Sequence, residues 1–165
     1  MMHPFDILTL TNGTKLIFTP CPGTKGVSVT DSLNALKAAG AQMVVTMMTQ
    51  HELVEHQADA IPALCEKLGM AWYHLPIEDG CAPEEPFAQA FALHKTALLN
   101  AVNAGVTMVI HCHGGSGRTG LMAAILMLES GYDAADIKAQ IQRIRPKSLT
   151  SVVQVNYLMQ QYAYE

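Results

Sequence analysis

Residues 106–120 read VTMVIHCHGGSGRTG, and this stretch decides the fold. Its first part, 106–111, is a short apolar run of the kind that forms a buried strand. Its last residues lead into a helical stripe of Leu121, Ile125 and Leu128. Between strand and helix lie three glycines within four positions, which permit a tight turn. The stretch therefore predicts a strand, a glycine-rich loop and a helix in direct succession.

Strand-like and helical patterns alternate along the rest of the chain. Strands at 5–10 and 15–19 flank Asn12-Gly13, a dipeptide typical of a two-residue hairpin turn. Short apolar runs at 43–47 and 71–75 predict further strands. Helical stripes are formed by Val29, Leu33 and Leu36, by Ile61, Leu64, Cys65 and Leu68, by Phe87, Phe91, Leu98 and Val102, by Ile137, Ile141 and Ile144, and by Val155, Leu158, Met159 and Tyr162. This alternation predicts an α/β fold, a single domain over residues 1–165 with a mostly parallel central sheet flanked by helices.

The composition excludes several classes of protein. Half of the residues are hydrophobic and 15% are charged, which is typical of a globular chain. A net charge of −4 gives no general attraction for nucleic acid or an anionic membrane, so any anion site must be local. The chain has no apolar run of the roughly 18 residues that a membrane span needs, and its start lacks the pattern of a signal peptide. Four irregularly spaced cysteines predict reduced thiols, so we expect a cytoplasmic protein.

The glycine-rich loop has the composition of an anion-binding site. Its glycines let successive amide N–H groups point inward, and the following helix adds the positive end of its dipole. Cys112 begins this loop; a free cysteine is only about 3% thiolate at pH 7, and a helix N-terminus with a nearby guanidinium favours the ionised form. Cys112 is therefore the predicted nucleophile toward a bound phosphate monoester. The predicted phosphate-binding residues are His113, Gly114, Gly115, Ser116, Gly117 and Arg118.

Three further side chains complete the predicted chemistry. Arg118 follows Cys112 by six positions, and its planar fork can hold two phosphate oxygens. Thr119 either caps a helix-start amide or donates its hydroxyl to the sulfur. Asp79, on a loop after a strand, is the candidate general acid for the leaving oxygen and later the base toward water. Asp79 as a simple turn residue is the alternative, and the adjacent Glu78 could share the acid role.

The pattern His-Cys-x5-Arg-Thr-Gly between strand and helix resembles the signature of the protein tyrosine and dual-specificity phosphatases. The D-x-x-x-P spacing of Asp79 and Pro83 is similar to the general-acid loop of that family. Segments 22–26, 44–53 and 154–158 most resemble the cyclin-dependent-kinase-associated phosphatase branch, so the resemblance runs from residue 18 to the end.

This resemblance implies a tyrosine-phosphatase-like fold, a phosphocysteine at Cys112, and phosphate binding by Arg118 and the loop amides. It implies no metal and no cofactor. Two departures stand out: Glu78 occupies the place of a proline in many relatives, and the segment that deepens the pocket of larger tyrosine-specific relatives is not recognisable. The second departure favours a shallow, dual-specificity site.

The first hypothesis is therefore an enzyme that dephosphorylates protein side chains, with phosphotyrosine as substrate and phosphoserine or phosphothreonine as further candidates. An inositol phosphate or phosphoinositide phosphatase is the alternative, although the loop lacks lysines that would favour such polyanions. A non-catalytic pseudophosphatase is expected to lack the nucleophile, the clamp or the acid, and all three are present. A rhodanese-like sulfurtransferase usually lacks the Arg-Thr-Gly helix start and needs no acid at Asp79.

Several residues near the motif keep two interpretations. His111 is expected in the core, hydrogen-bonded behind the loop, because two histidines around one cysteine lack a fourth ligand for a metal. Gln154 either positions the hydrolytic water or lies on a helix surface. Cys81 is a surface residue or an oxidation partner of the nucleophile. Arg143 or Arg145 lies at a helix end or at the rim of the pocket.

Overall fold

The computed structural model describes residues 2–164, which form a central sheet between two layers of helices. The elements in chain order are β1 Asp6–Thr9, β2 Lys15–Thr19, α1 Val29–Ala38, β3 Met43–Thr46, α2 Gln50–Glu55, α3 Ile61–Lys67, β4 Ala71–His74, α4 Glu85–Asn103, β5 Met108–His111, α5 Gly117–Glu129, α6 Ala134–Ile144 and α7 Val152–Gln161. The strand order is β1-β2-β5-β3-β4, with β1 antiparallel to β2 and the other pairs parallel. The predicted α/β fold with a mostly parallel sheet is confirmed.

Strand β5 lies at the centre of the sheet and all four of its residues are buried. Met108 and Ile110 pack with the core under α4, α5, α6 and α7, whereas Val109 packs with the core under α1 and α3. A strand buried on both faces has a continuous apolar sequence, which explains why its pattern was clear. The carboxyl end of β5 therefore delivers the loop after residue 111 to the crevice edge of the sheet.

The hairpin between β1 and β2 has a longer turn than predicted. Leu10 N donates to Thr14 O at 2.8 Å, so three residues lie between the last bonded pair. Gly13 adopts a φ of +90°, as the left-handed position of a three-residue hairpin loop requires. The Asn12 side chain donates to Val102 O at 2.8 Å and accepts from Thr14 N at 3.1 Å. This tie to the end of α4 decides the turn, so the two-residue prediction was wrong.

Helix α2 has no counterpart in the sequence prediction because six residues are too short to show a helical period. A capping box begins it. Thr49 Oγ1 accepts from Glu52 N at 3.2 Å, and Glu52 Oε1 accepts from Thr49 N at 3.1 Å. The T-x-x-E signature of this box is readable from the sequence. This signature could have identified Glu52 as a helix-capping residue, and Glu52 also contacts the site described below.

Helix α7 buries most of the predicted stripe together with one polar residue. Val155 and Tyr162 are half-buried and pack against the same core as Leu158. Gln154 and Leu158 are buried, one helical turn apart, while Met159 is 53% exposed and Tyr162 follows the end of the helix. The polar Gln154 is accommodated because its Nε2 donates to Cys81 O at 3.4 Å. The buried face therefore differs from the predicted stripe at Met159, which is exposed, and at Gln154, which is buried. Among residues 2–164, no helix has the length and apolar character to span a membrane.

Candidate active site

Cys112 lies at the carboxyl end of β5 with its side chain only 3% exposed. Its sulfur accepts two hydrogen bonds, from Gly115 N at 3.2 Å and from Thr119 Oγ1 at 3.2 Å. Thr119 therefore contacts the sulfur instead of capping the helix. The sulfur is therefore the acceptor for one backbone amide of the loop and one hydroxyl of the helix that follows it.

Two carbonyls at the start of the loop are held by donors behind it. Cys112 O lies 3.2 Å from His111 Nδ1, and His113 O accepts from Cys21 N at 3.0 Å. The carbonyl and the N–H of one planar trans peptide point in opposite directions. The amides of the residues that follow, His113 and Gly114, therefore face the opposite, concave side of the loop.

Two later carbonyls are held in the same way from the segment after α6. Gly115 O accepts from Arg145 Nε at 3.0 Å, and Ser116 O accepts from Ser148 Oγ at 2.6 Å. Arg145 also donates to Phe18 O at 3.1 Å and pairs with an aspartate on β1, so it lies behind the loop and not at the pocket rim. The amides turned toward the concave side are His113 N, Gly114 N, Ser116 N and Gly117 N, and none has an acceptor among the described residues.

Two glycines of this region have no room for a side chain. A Cβ at Gly115 would lie 2.6 Å from the carbonyl carbon of Thr19, and its φ of +82° favours glycine. A Cβ at Gly120 would lie 2.5 Å from Ser148 Cβ. The first contact packs the loop against the end of β2, and the second brings Ser148 close enough to hold the Ser116 carbonyl.

Arg118 is held by a carboxylate that the sequence analysis did not identify. Its side chain is 2% exposed, and its Nη1 and Nη2 donate to Glu52 Oε1 and Oε2 at 2.7 and 3.0 Å. Burial by itself would raise the pKa of Glu52, but hydrogen bonds from Arg118 and Thr49 outweigh it and hold that pKa below its usual value. Burial would lower the pKa of Arg118, but the pair with Glu52 and the nearby Cys112 raise it above its usual value. Both partners are therefore charged at neutral pH, and the guanidinium has a fixed orientation.

The loop that carries Asp79 is tied to the same guanidinium. Arg118 Nη1 donates to Ile77 O at 2.8 Å, and Asp79 Oδ1 lies 3.5 Å from Arg118 Nη2. Cys81 N donates to Glu78 O at 3.1 Å across a β-turn in which Gly80 has a φ of +77°. Asp79 occupies the corner of this turn and is 79% exposed. The predicted nucleophile, clamp and acid are thus brought to one place, although Asp79 and Arg118 lie 39 residues apart in sequence.

His111 lies in the core behind the loop, as predicted. Its Nε2 lies 2.7 Å from Thr46 Oγ1, and the ring is fully buried. Burial, with smaller effects from His3, Arg118 and His74, lowers the pKa of His111 to about 4. The imidazole is therefore neutral at physiological pH.

The lowered pKa of His111 predicts a loss of stability on mild acidification. His111 binds its proton near pH 6.5 in the unfolded chain and only near pH 4 in the folded chain. The neutral ring therefore contributes its full stabilisation above pH 6.5, and this stabilisation is lost as the pH falls from 6.5 toward 4. Between pH 7 and pH 5 we expect this residue to reduce the free energy of unfolding by about 2 kcal/mol. Urea unfolding at both pH values measures the loss. The same pH dependence in a His111→Asn variant would contradict this assignment; buried His3, whose pKa is also lowered, adds to the slope in both proteins.

The structure also places the remaining residues that the sequence analysis singled out near the motif. Gln154 Oε1 is buried without a partner among residues 2–164 and lies 4.0 Å from the position of a Cβ on Gly117, so this amide faces the loop and not solvent. Cys81 is exposed and all four cysteines are free. The exposed His113 ring stacks on His56 with centroids 4.2 Å apart. Within the described part of the chain, no three His, Cys, Asp or Glu side chains are arranged to hold a metal ion.

Comparison with known proteins places this geometry in a family. Residues 22–132 match the family model of the DSP-PTPase phosphatase of polymorphic toxin systems, about two thirds of the chain. The chain belongs to the DSP-PTPase family. The matched range includes the acid loop, the whole glycine-rich loop and α5 of this DSP-PTPase chain, and it also includes Glu52.

Individual relatives agree with this assignment. The chain is 31% identical to cyclin-dependent kinase inhibitor 3 of Sus scrofa over 127 residues, which is 74% of this chain and 58% of that protein. The DSP-PTPase chain thus spans less than two thirds of the length of the curated relatives it matches. A crystal structure of kinase-associated phosphatase superposes with a TM-score of 0.82 at 23% identity, covering 96% of this chain and 93% of that one. Human DUSP28 superposes with a TM-score of 0.66 at 17% identity, covering 99% and 95%. The predicted phosphatase family and the kinase-associated-phosphatase branch are confirmed.

Proposed function

We propose that this chain hydrolyses phosphate monoesters on protein side chains, phosphotyrosine and also phosphoserine or phosphothreonine, through a phosphocysteine intermediate. The observation that carries the proposal is the sulfur of Cys112, which accepts hydrogen bonds from Gly115 N and Thr119 Oγ1 beneath amides that have no acceptor among residues 2–164. A buried sulfur with two donors and an adjacent anion cradle is arranged for attack on phosphorus.

In the first proposed step, the Cys112 sulfur attacks phosphorus, an S–P bond forms and the bond from phosphorus to the ester oxygen breaks. The leaving oxygen takes that electron pair and receives a proton from Asp79. The loop amides and Arg118 bind the nonbridging oxygens, whose charge spreads in the transition state. Asp79 suits this role because its carboxyl lies beside the clamp at Arg118 and remains exposed to the leaving group.

In the second proposed step, water attacks phosphorus, the S–P bond breaks and Asp79 takes a proton from the water. The departing sulfur keeps the electron pair and is stabilised by the Thr119 hydroxyl, which already lies 3.2 Å away. Gln154 Oε1, buried without a partner beside the loop, is the proposed acceptor for the second hydrogen of the attacking water.

Hydrolysis of para-nitrophenyl phosphate in the presence of a metal chelator tests the proposal. We expect turnover without added metal and inhibition by vanadate, since the cradle consists of amides and one guanidinium. A panel of phosphopeptides and inositol phosphates then tests the substrate class. If the protein does not hydrolyse the aryl phosphate, the proposed phosphatase activity is refuted. If it hydrolyses inositol phosphates in preference to phosphopeptides, the proposed protein substrate is refuted.

Asp79→Asn is expected to lower kcat for a phosphopeptide about 100-fold, because asparagine cannot protonate the leaving oxygen. Glu78→Gln makes the same change one residue earlier, on the exposed side chain that pairs with nothing in the described chain. We expect that variant to keep kcat within about threefold. Steady-state rates of the two variants decide the assignment, and the reverse order would move the acid role to Glu78.

A protein substrate is supported by the kinase-associated phosphatase likeness and by a loop without lysine. We also propose a cytoplasmic location, because four cysteines remain free, including one at the site that must be reduced to react. Detection of the protein in a secreted fraction with its cysteines paired would contradict this location.

A further inference from the structure

Three hydrogen bonds connect the edge of the sheet to the first peptide of the phosphate loop. Trp72 Nε1 on β4 donates to Thr46 Oγ1 on β3 at 2.8 Å. Thr46 Oγ1 lies 2.7 Å from His111 Nε2, and the sheet register places these two residues directly opposite each other. His111 Nδ1 lies 3.2 Å from Cys112 O. The chain of contacts therefore crosses three strands and ends at the nucleophile's own carbonyl.

The number of hydrogens fixes the direction of every bond in this chain. An indole N–H can only donate and a carbonyl can only accept. Thr46 has one hydroxyl hydrogen, and since its oxygen already accepts from Trp72, that hydrogen is free to go to His111 Nε2. The bond to Cys112 O requires the hydrogen of His111 on Nδ1. A neutral imidazole has only one N–H hydrogen, so Nε2 is then bare and accepts from the Thr46 hydroxyl. The carbonyl of Cys112 therefore selects the tautomer, with Nδ1 protonated and Nε2 bare, and Thr46 complements it.

The indole at the start of the chain is itself fixed. The Trp72 ring stacks on the imidazole of His74, with centroids 5.2 Å apart and an angle of 29° between the planes. His74 Nε2 in turn lies 2.6 Å from Met48 O, in the loop that follows β3. The indole N–H of Trp72 is thus held in one orientation, and its hydrogen bond fixes the position of the Thr46 hydroxyl.

We propose that Trp72 and Thr46 are positioning residues for the phosphate loop, which lock the Nδ1–H tautomer of His111 so that it pulls the Cys112 carbonyl backward and turns the His113 amide toward the phosphate. This inference rests on the proposed function. It follows from the planar peptide between residues 112 and 113, in which the held carbonyl and the amide hydrogen point in opposite directions.

We call the connected hydrogen bonds from Trp72 through Thr46 and His111 to the Cys112 carbonyl the relay. Replacing Trp72 and Thr46 tests it. Trp72→Phe keeps an aromatic ring and removes the N–H, and Thr46→Val keeps the shape and removes the hydroxyl. We expect nitrogen-15 spectra of the His111 imidazole to show hydrogen on Nδ1 in the wild type and a mixture of tautomers in both variants. We expect vanadate affinity and kcat/KM to fall together about tenfold, less than the loss of a whole oxyanion donor because the other amides remain.

Tyr73→Phe is the matched control, since it removes a polar atom from the neighbouring residue of β4, whose ring packs on His94 and not on the relay. It should leave tautomer, affinity and rate unchanged, and Thr46→Ser should restore all three. The proposal is overturned if wild-type His111 carries its hydrogen on Nε2, or if the tautomer changes while vanadate affinity does not. If the wild-type protein is folded but shows no turnover, the proposed function is rejected. The nitrogen-15 spectrum of His111 would still show whether Trp72 and Thr46 fix its tautomer.

Discussion

Cys112→Ser is expected to lower kcat for para-nitrophenyl phosphate by about 10⁵-fold, the scale on which removal of a nucleophile acts. A serine hydroxyl is a far weaker nucleophile than a cysteine thiolate, and among the described residues no basic side chain contacts the Cys112 sulfur position to remove its proton. The amide ring and Arg118 remain in place, so binding of inorganic phosphate should persist. Steady-state kinetics and calorimetric titration with phosphate measure the two effects separately.

Cys81→Ser is the matched control, because it makes the same atomic change at an exposed cysteine near the site. Its rate should match that of the wild type under reducing conditions. Residual turnover of Cys112→Ser above about 1% of the wild-type rate would reject the covalent mechanism. Loss of phosphate binding together with turnover would instead show that serine disturbs the cradle.

Arg118→Lys is expected to lower kcat/KM about 1,000-fold, with the loss divided between binding and rate. The guanidinium contacts both oxygens of Glu52 and the carbonyl of Ile77 at once, and it lies beside Asp79. A single ammonium group cannot satisfy this set and also hold a phosphate in a planar fork. Lysine would in addition leave part of the buried Glu52 carboxylate unpaired, so a lower free energy of unfolding should accompany the kinetic loss.

The matched control is Arg143→Lys, the same change at an exposed arginine in the last turn of α6. Kinetics on a phosphopeptide and urea unfolding should leave this variant close to the wild type. If Arg118→Lys kept more than a tenth of the wild-type kcat/KM, the guanidinium would not be the phosphate clamp. If its stability were unchanged, the Glu52 pair would matter less than its burial and distances indicate.

The fold was readable from the sequence where burial imposes a simple period. The central strand β5 is buried on both faces, and α1, α3, α4 and α6 each show a stripe that matches the face they bury, whereas α5 is buried on all sides from Arg118 to Met127. The prediction failed where a polar contact replaces a hydrophobic one. On α7, Gln154 is buried and bonds to the acid loop while the predicted Met159 is exposed, and Asn12 bonds to the end of α4 within a three-residue hairpin turn.

The residues predicted as nucleophile, glycine-rich loop and arginine clamp were identified from the sequence, and the structure brings them together. Their contacts are local: Gly115 and Thr119 reach the sulfur over three and seven residues, within one loop and the first turn of one helix. Local geometry of this kind is specified by residue type and spacing.

The residues that orient this loop through hydrogen bonds could be identified only from the tertiary structure. Glu52 lies 66 residues from Arg118, and Ser148 lies 32 residues from the carbonyl that it binds. Such partners depend on how helices and strands pack, since a chain can bring many polar residues to a loop and its order along the sequence does not select among them. The residues proposed to perform the chemistry therefore form a local sequence motif, whereas the residues that orient them are brought into contact only when the sheet and helices pack.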